Sequence, residues 1–409
     1  MSRDKTKAVT PRLRFPEFRD AGPWEVRRLR DGIDLISGQH LGPTQYTNNP
    51  SDYPYFTGPS DFTDDQGDVT KWVADSISPQ LAKKGDVLVT VKGSGVGELW
   101  WLSLVTVAMG RQLMAVRGNK YEPGFLFYFL EQRRAHLVAL AAGNMIPGLS
   151  RDDLLSLAVP IPPSLIEQQK IADCLSALDD LTRAEEARLE ALQAHKKGLM
   201  QQLFPVEGET TPRLRFPEFR NAGPWEVKRL GELFSERNER NGAELELLSV
   251  TMSEGVVRAS NLERRNNASS DRSNYKKVYP NDVVYNSMRM WQGASGVSYW
   301  NGIVSPAYTV VTPAQKQNPI FWAYYFKQPH TIEQFARFSQ GVTSDTWNLK
   351  YPAFSTIRLS FPVNPCEQQK IADCLSSLDE LIRTQGERIE ALKQHKKGLM
   401  QQLFPQEVA

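Results

Sequence analysis

The stretch EQQKIADCLSALDDLTRAEEARLEALQAHKKGLMQQLFP, Glu167–Pro205, returns as EQQKIADCLSSLDELIRTQGERIEALKQHKKGLMQQLFP at Glu367–Pro405. The copies share 29 of 39 positions. Ser164 followed by Glu167 reads as a capping box, and Asn364-Pro365-Cys366-Glu367 is its counterpart with Pro at the first helical position. Pro205 and Pro405 stop the two helices. Between them, steps of four and three alternate along Ile171, Leu175, Leu178, Thr182, Glu185, Leu189, Leu192, Lys196, Leu199 and Leu203. The second copy carries Ile371, Leu375, Leu378, Ile382, Gln385, Ile389, Leu392, Lys396, Leu399 and Leu403. This is a heptad seam, the pattern of coiled-coil packing. A helix of roughly 38 residues spans about 55–60 Å at ~1.5 Å per residue, which suits a rod better than the inside of a compact domain. With a globule between the copies, an antiparallel pair is the natural closure. Cys174, Leu181, Cys374 and Leu381 widen the apolar stripe, as expected if further helices pack on the rod. A self-sufficient hairpin, interrupted by polar Glu185 and Lys196, is the alternative.

A second repeat lies outside the helices. Thr10–Leu29, TPRLRFPEFRDAGPWEVRRL, and Thr211–Leu230, TPRLRFPEFRNAGPWEVKRL, differ only at Asp20/Asn221 and Arg27/Lys228. The offsets of 201 and 200 residues make the chain one unit written twice, a domain duplication rather than a solenoid. The intervening blocks, Arg30–Pro160 and Gly231–Pro362, agree only in framework. Gly85-Asp-Val-Leu-Val-Thr answers Asn281-Asp-Val-Val-Tyr-Asn as a strand after a turn. Pro123–Gly143 and Pro319–Gly341 each read as a helix. Leu155, Leu157, Val159, Ile161 and Ile357, Leu359, Phe361, Val363 alternate as half-buried strands. The expected fold is therefore α+β: two mixed α/β domains separated by two long antiparallel coiled-coil helices, with a pseudo-twofold internal repeat. The boundaries read as a first domain 1–163, a central helix 164–205, a second domain 206–363, and a C-terminal helix and tail 364–409. Near-identical segments imply one contact made twice. Divergent segments on one framework imply two targets.

Composition narrows the function. The 409 residues are 40% hydrophobic and 23% charged, with a mean hydropathy of −0.44. No run approaches the ~18 apolar residues of a membrane span, and MSRDKTKAVTPRLRF has no apolar signal core. Three cysteines without a CxxC pair fit a reducing cytoplasm rather than a disulfide framework. A net charge of +2 means that any nucleic-acid surface is made by local placement. Gly93-Ser-Gly-Val-Gly97 lacks the GK[ST] of a phosphate-binding loop, so it reads as a strand turn or a loop near a phosphate backbone. Five histidines show no HExxH or paired metal spacing. No Asn-Pro-Pro-aromatic tetrad, helicase-like nucleotide motif or activated nucleophile is present. The expectation is a chain with no catalytic residue, metal or cofactor of its own.

Two unlike globules, each preceded by a Trp-anchored segment (Trp24, Trp225) and followed by a helix opening EQQKIA and closing HKKGLMQQLFP, resemble the specificity subunit of type I restriction–modification systems. The resemblance runs through the whole chain in order. It implies that each target-recognition domain reads one half of a split double-stranded DNA sequence and that the helices set the distance. It further implies two identical modification subunits docked on the repeats, carrying S-adenosylmethionine and adenine-N6 methylation. Two restriction subunits using ATP and Mg can join for cleavage.

Candidate DNA-binding residues combine charged and amide groups in loops after expected strands: Lys71, Lys92, Ser94, Arg111 and Asn144 in the first domain. The second supplies Arg264, Arg265, Lys276, Lys277, Asn286, Arg289, Gln292 and Thr343. Arg and Lys suit phosphates or guanine, Asn and Gln adenine. Residues 30–160 hold 11 basic and 14 acidic side chains, net −3; residues 231–362 hold 14 and 11, net +3. The competing class is a non-enzymatic scaffold with two protein-binding domains on a coiled-coil spacer, which predicts no salt-dependent DNA affinity.

Overall fold

The computed structural model describes residues 8–143, 148–242, 244–262, 271–343 and 346–405. The chain forms two compact units, Met1–Glu186 with Glu387–Ala409, and Ala187–Gly386. Each unit thus contains one variable domain and half of each long helix. The helices run Leu165–Leu203 and Pro365–Leu403, 39 residues apiece.

In the first unit an antiparallel sheet is ordered Ile33–Ser37, Leu113–Gly118, Val87–Thr90, Leu99–Trp101. Its central register sets Ala115 opposite both Ile36 and Leu88. A second sheet contains a parallel pair, Tyr53–Phe56 with Thr106–Met109, so the domain is mixed. In the second unit the same order returns: Phe234–Glu236, Tyr308–Pro313, Val283–Asn286, Ser295–Val297. The inner strands are apolar on both faces because both are covered: Val87, Leu88 and Val89 are fully buried, as are Val283, Val284 and Tyr285. The repeated WEV segments add a further ladder. Trp24–Arg28 pairs with Ala158–Ile161, and Glu226–Arg229 with Arg358–Phe361.

Three expectations need correction. Each expected 21- to 23-residue helix is two helices: Pro123–Gln132 and Arg134–Gly143, then Pro319–Tyr325 and Pro329–Phe338. Pro329 explains the second break, since it has no N–H to continue the preceding helix. Only two residues of each closing alternation lie in a strand, Val159 and Ile161 in one copy and Leu359 and Phe361 in the other. Arg151–Leu155 and Tyr351–Thr356 are short helices before it, and Val363 is 59% exposed beyond it. The capping boxes are caps without their acidic half: Ser164 Oγ accepts from Ile166 N, and Asn364 Oδ1 from Cys366 N. Glu167 and Glu367 point elsewhere.

The seam is observed. Leu178, Leu189, Leu192, Leu378, Ile382, Leu392 and Leu399 are half-buried and Ile389 is buried, while flanking Leu181 and Leu381 are 39% and 51% exposed. Ion pairs fix the sense as antiparallel: in the first unit Asp179 meets Lys396 and Glu186 meets Lys393. The ends of the seam do more than pair. Ile171, Leu175 and Leu403 lie in the first domain's core with Trp24, Phe125 and Phe404. Leu203, Ile371 and Leu375 lie in the second core with Trp225, Phe321 and Phe204. At ~25 cal/mol per Å² of apolar area, burying these side chains contributes a few kcal/mol to each junction.

Candidate nucleic-acid interface

The duplicated segments assemble one junction twice. In the first unit Arg14 donates through Nε and Nη2 to both carboxylate oxygens of Glu167, at 2.7 and 2.8 Å, and Trp24 Nε1 adds a third bond at 3.1 Å. Arg215 and Trp225 do the same to Glu367 at 2.7, 2.7 and 3.2 Å. Both glutamates are essentially buried, which a carboxylate tolerates only when its lone pairs are matched. The next residue, Gln168 or Gln368, accepts from the backbone N–H of Glu122 or Asn318, at the mouth of the domain helix. Leu13 N donates to Gln402 O, and Leu214 N to Gln202 O. The arm therefore staples the start of one long helix and the end of the other to the domain. Arg14, Trp24, Glu167 and Gln168 were missed as a set in the sequence; the signal was their identical spacing in both copies.

The candidate residues cluster on the loops that follow Val87–Thr90 and Val283–Asn286. In the first unit the strand Val87–Thr90 runs into the glycine loop, where Gly93 and Gly97 take φ of 92° and 87°, open to glycine at little cost. A Cβ on Gly97 would sit 2.7 Å from Val138 Cγ2. Leu149 N donates to Val91 O, so Leu149 lies beside the strand end next to Lys92. Val91 N in turn donates to Gln112 O, next to Arg111. Lys92, Ser94 and Arg111 are exposed there. Lys71 is half-buried, with Nζ 3.0 Å from Asp61 Oδ1. Asn144 lies outside the described residues.

The second unit repeats the crossing with other chemistry. Leu349 N donates to Ser287 O, the equivalent of Leu149 on Val91. This brings together the loop after Val283–Asn286 and the loop near Thr343. Asn286 Oδ1 accepts from Met288 N, and Arg289 Nη1 donates to Gln292 Oε1. Trp291 and Trp347 meet edge to face at 5.4 Å across the two loops. Arg289, Met288, Val342 and Thr343 are exposed, and Asn286 and Gln292 half-exposed. Lys276 and Lys277 lie on another sheet, paired with Gly302–Val304; the Lys276 ammonium is turned inward onto Glu236 at 3.3 Å. Arg264 and Arg265 lie outside the described residues. The tryptophan pair was not foreseen, because Trp291 and Trp347 are far apart in sequence.

Among the described residues no group of His, Cys, Asp and Glu is arranged to hold a metal ion. Among the described residues no helix is long and apolar enough to cross a membrane.

The family profile of the type I restriction modification DNA specificity domain matches residues 22–194 and again 223–394. The chain belongs to this specificity family. It is a DNA-specificity component with two such domains, one on each copy of the repeat. The putative type I restriction enzyme MjaX specificity subunit of Methanocaldococcus jannaschii is 24% identical, over 93% of this chain and 92% of that protein. The MjaVIII specificity subunit of the same organism is 29% identical over 47% of this chain and 43% of its own length, less than half of that relative. Among solved structures, the type I restriction–modification S subunit from M. genitalium superposes with a TM-score of 0.62 at 16% identity, covering 98% of this chain and all of that one. A chain from a study of complex assembly and conformational transition in the type I system gives 0.54 at 16% identity, over 94% and 98% of the two chains. These structures share the fold.

Proposed function

We propose that each variable domain of this specificity subunit reads one half of a bipartite double-stranded DNA target through its paired loops. The observation that carries the reading is the match of one specificity domain to each copy, on a shared framework with different loop chemistry. Lys92, Ser94 and Arg111, with Lys71 beside them, form the first reading surface; Asn286, Arg289, Gln292 and Thr343 form the second, where an exposed arginine can fork onto a guanine edge. The long helices hold the readers apart, and the domain limits follow them: 1–163, 164–205, 206–363 and 364–409. The chain itself catalyses nothing. Two modification subunits dock on the identical repeated segments and supply S-adenosylmethionine chemistry at adenine N6. Two restriction subunits supply ATP- and Mg-dependent cleavage, and the complex works in the cytoplasm, where the DNA is.

The test is to map methylated adenines in a host with and without this gene and its modification subunit. A split motif that appears only with the gene is expected. A complex whose DNA affinity ignores salt and sequence would instead favour the scaffold reading.

A further inference from the structure

Lys196 and Lys396 occupy seam positions where the heptad pattern calls for an apolar side chain. Each side chain is only 20% exposed. In the second unit Lys196 Nζ donates to Asp379 Oδ1 on the opposite helix, and Asp379 Oδ2 accepts from Tyr324 OH at 2.6 Å. The ammonium also lies 5.2 Å from the Tyr324 ring centroid. In the first unit Lys396 donates to Asp179 Oδ1 at 2.5 Å, Tyr128 OH donates to Asp179 Oδ2 at 2.7 Å, and the ammonium is 5.0 Å from the Tyr128 ring. Three elements meet at one carboxylate in both units: two long helices and the domain helix that opens on a proline, Pro123–Gln132 or Pro319–Tyr325. Tyr128 and Tyr324 each stand five places after the proline that opens that helix, and these domains otherwise share few side chains. Burial, and then the hydrogen bond to the aspartate, hold both phenols far above their ordinary pKa, so they remain donors.

We propose that each Lys–Asp–Tyr cluster is a register lock, selecting one sliding position of the helix pair and one seat for the recognition domain, and so fixing the gap between half-sites. This rests on the functional reading above. A seam of leucines is periodic, so a slide of one heptad still faces apolar groups with apolar groups. The lysines, with the buried seam residues Glu185 and Gln385, remove that degeneracy. One slide brings Lys196 opposite Gly386 while Lys396 meets Glu186; the other brings both lysines opposite alanines, Ala372 and Ala172. Either slide leaves at least one half-buried ammonium without its carboxylate, which is worse than never having placed the charge there. A polar seam residue of this kind gives up stability for a single register. The lysine, aspartate and tyrosine are positioning residues that act through the helix pair.

The experiment uses the chain co-expressed with its modification subunit and reads the distribution of gaps between methylated half-motifs. Wild type should give one gap. Lys196→Met combined with Lys396→Met puts apolar side chains that suit the seam where the ammonium groups stood, and should methylate sites with more than one gap. Lys196→Arg with Lys396→Arg should restore the single gap. A Met variant that keeps one gap overturns the lock, whatever its melting temperature. If that variant does not methylate, or wild type shows no split motif, the register is read directly on the chain. Nitroxides at exposed positions, Ala191→Cys and Arg383→Cys with the three native cysteines changed to serine, should report one distance in wild type and several with Lys196→Met and Lys396→Met. One distance in both overturns the proposal. Absence of a split motif in wild type counts against the functional reading alone.

Discussion

Glu167 has to satisfy an arginine fork and an indole at once, inside the protein. Removing one partner of such a buried pair costs about 3–5 kcal/mol, because the other charge is stranded. Glu167→Gln should therefore loosen the arm: amide hydrogen exchange over residues 8–28 should rise sharply, while the equivalent 209–229 stays protected. Replacing both partners, Arg14→Met with Glu167→Met, should recover most of the loss. His330 offers a residue-level test by pH. Its ring is 5.7 Å from Tyr325, and burial lowers its pKa below 6.5, outweighing nearby Glu207 and Glu333. A base with a lowered folded pKa binds fewer protons folded than unfolded, so stability is complete above the unfolded value and falls as pH drops below it. The second unit should lose stability on acidification from pH 6.5, and His330→Gln should flatten that slope in denaturant melts.

At the level of the element, each variable domain is held by a junction that its twin copies, so domains should exchange. Replacing residues 30–160 with the matching domain of a relative should change one half of the methylated motif and leave the other half and the gap alone; a change in both halves would refute one domain, one half-site. The helices give a second test. A heptad inserted at Ala184 and another at Thr384 preserves the seam and lengthens the pair by ~10 Å, about three base pairs at ~3.4 Å each. Methylation mapping should show a wider gap; an active complex with the original gap would mean that the coiled coil does not set it. The seam, the duplication and the inner strands were legible because they rest on local periodicity. The role of Glu167 was not: its partner Arg14 is 153 residues away, and the local pattern offered a cap instead. Nor could the Lys-Lys pair at 276 and 277 announce that the Lys276 ammonium lies 3.3 Å from Glu236, far away in sequence. Pro329 marked a break that the surrounding apolar pattern ran through.

For the whole molecule, exposed Leu181 and Leu381 on the helices, with Leu165 and Ile166 at the start of the first, leave apolar surface that a partner would cover. The chain should express poorly alone and gain solubility with a modification subunit; a compact, stable monomer indifferent to any partner would argue against docking there. The complex should also lose DNA affinity steeply with salt, with a slope that measures the phosphates neutralised. The division of the chain carries one more consequence, for the order of assembly during synthesis. The second unit is contiguous, and its arm bonds across a dozen residues, Leu214 to Gln202. The first unit needs Met400, Leu403 and Phe404 for its core, and its arm bonds from Leu13 to Gln402. On a ribosome the domain made first must therefore wait, part of its core uncovered, while the domain made second completes itself. The early half is the one exposed to proteases and aggregation until residues 387–405 arrive and close the longest loop in the chain.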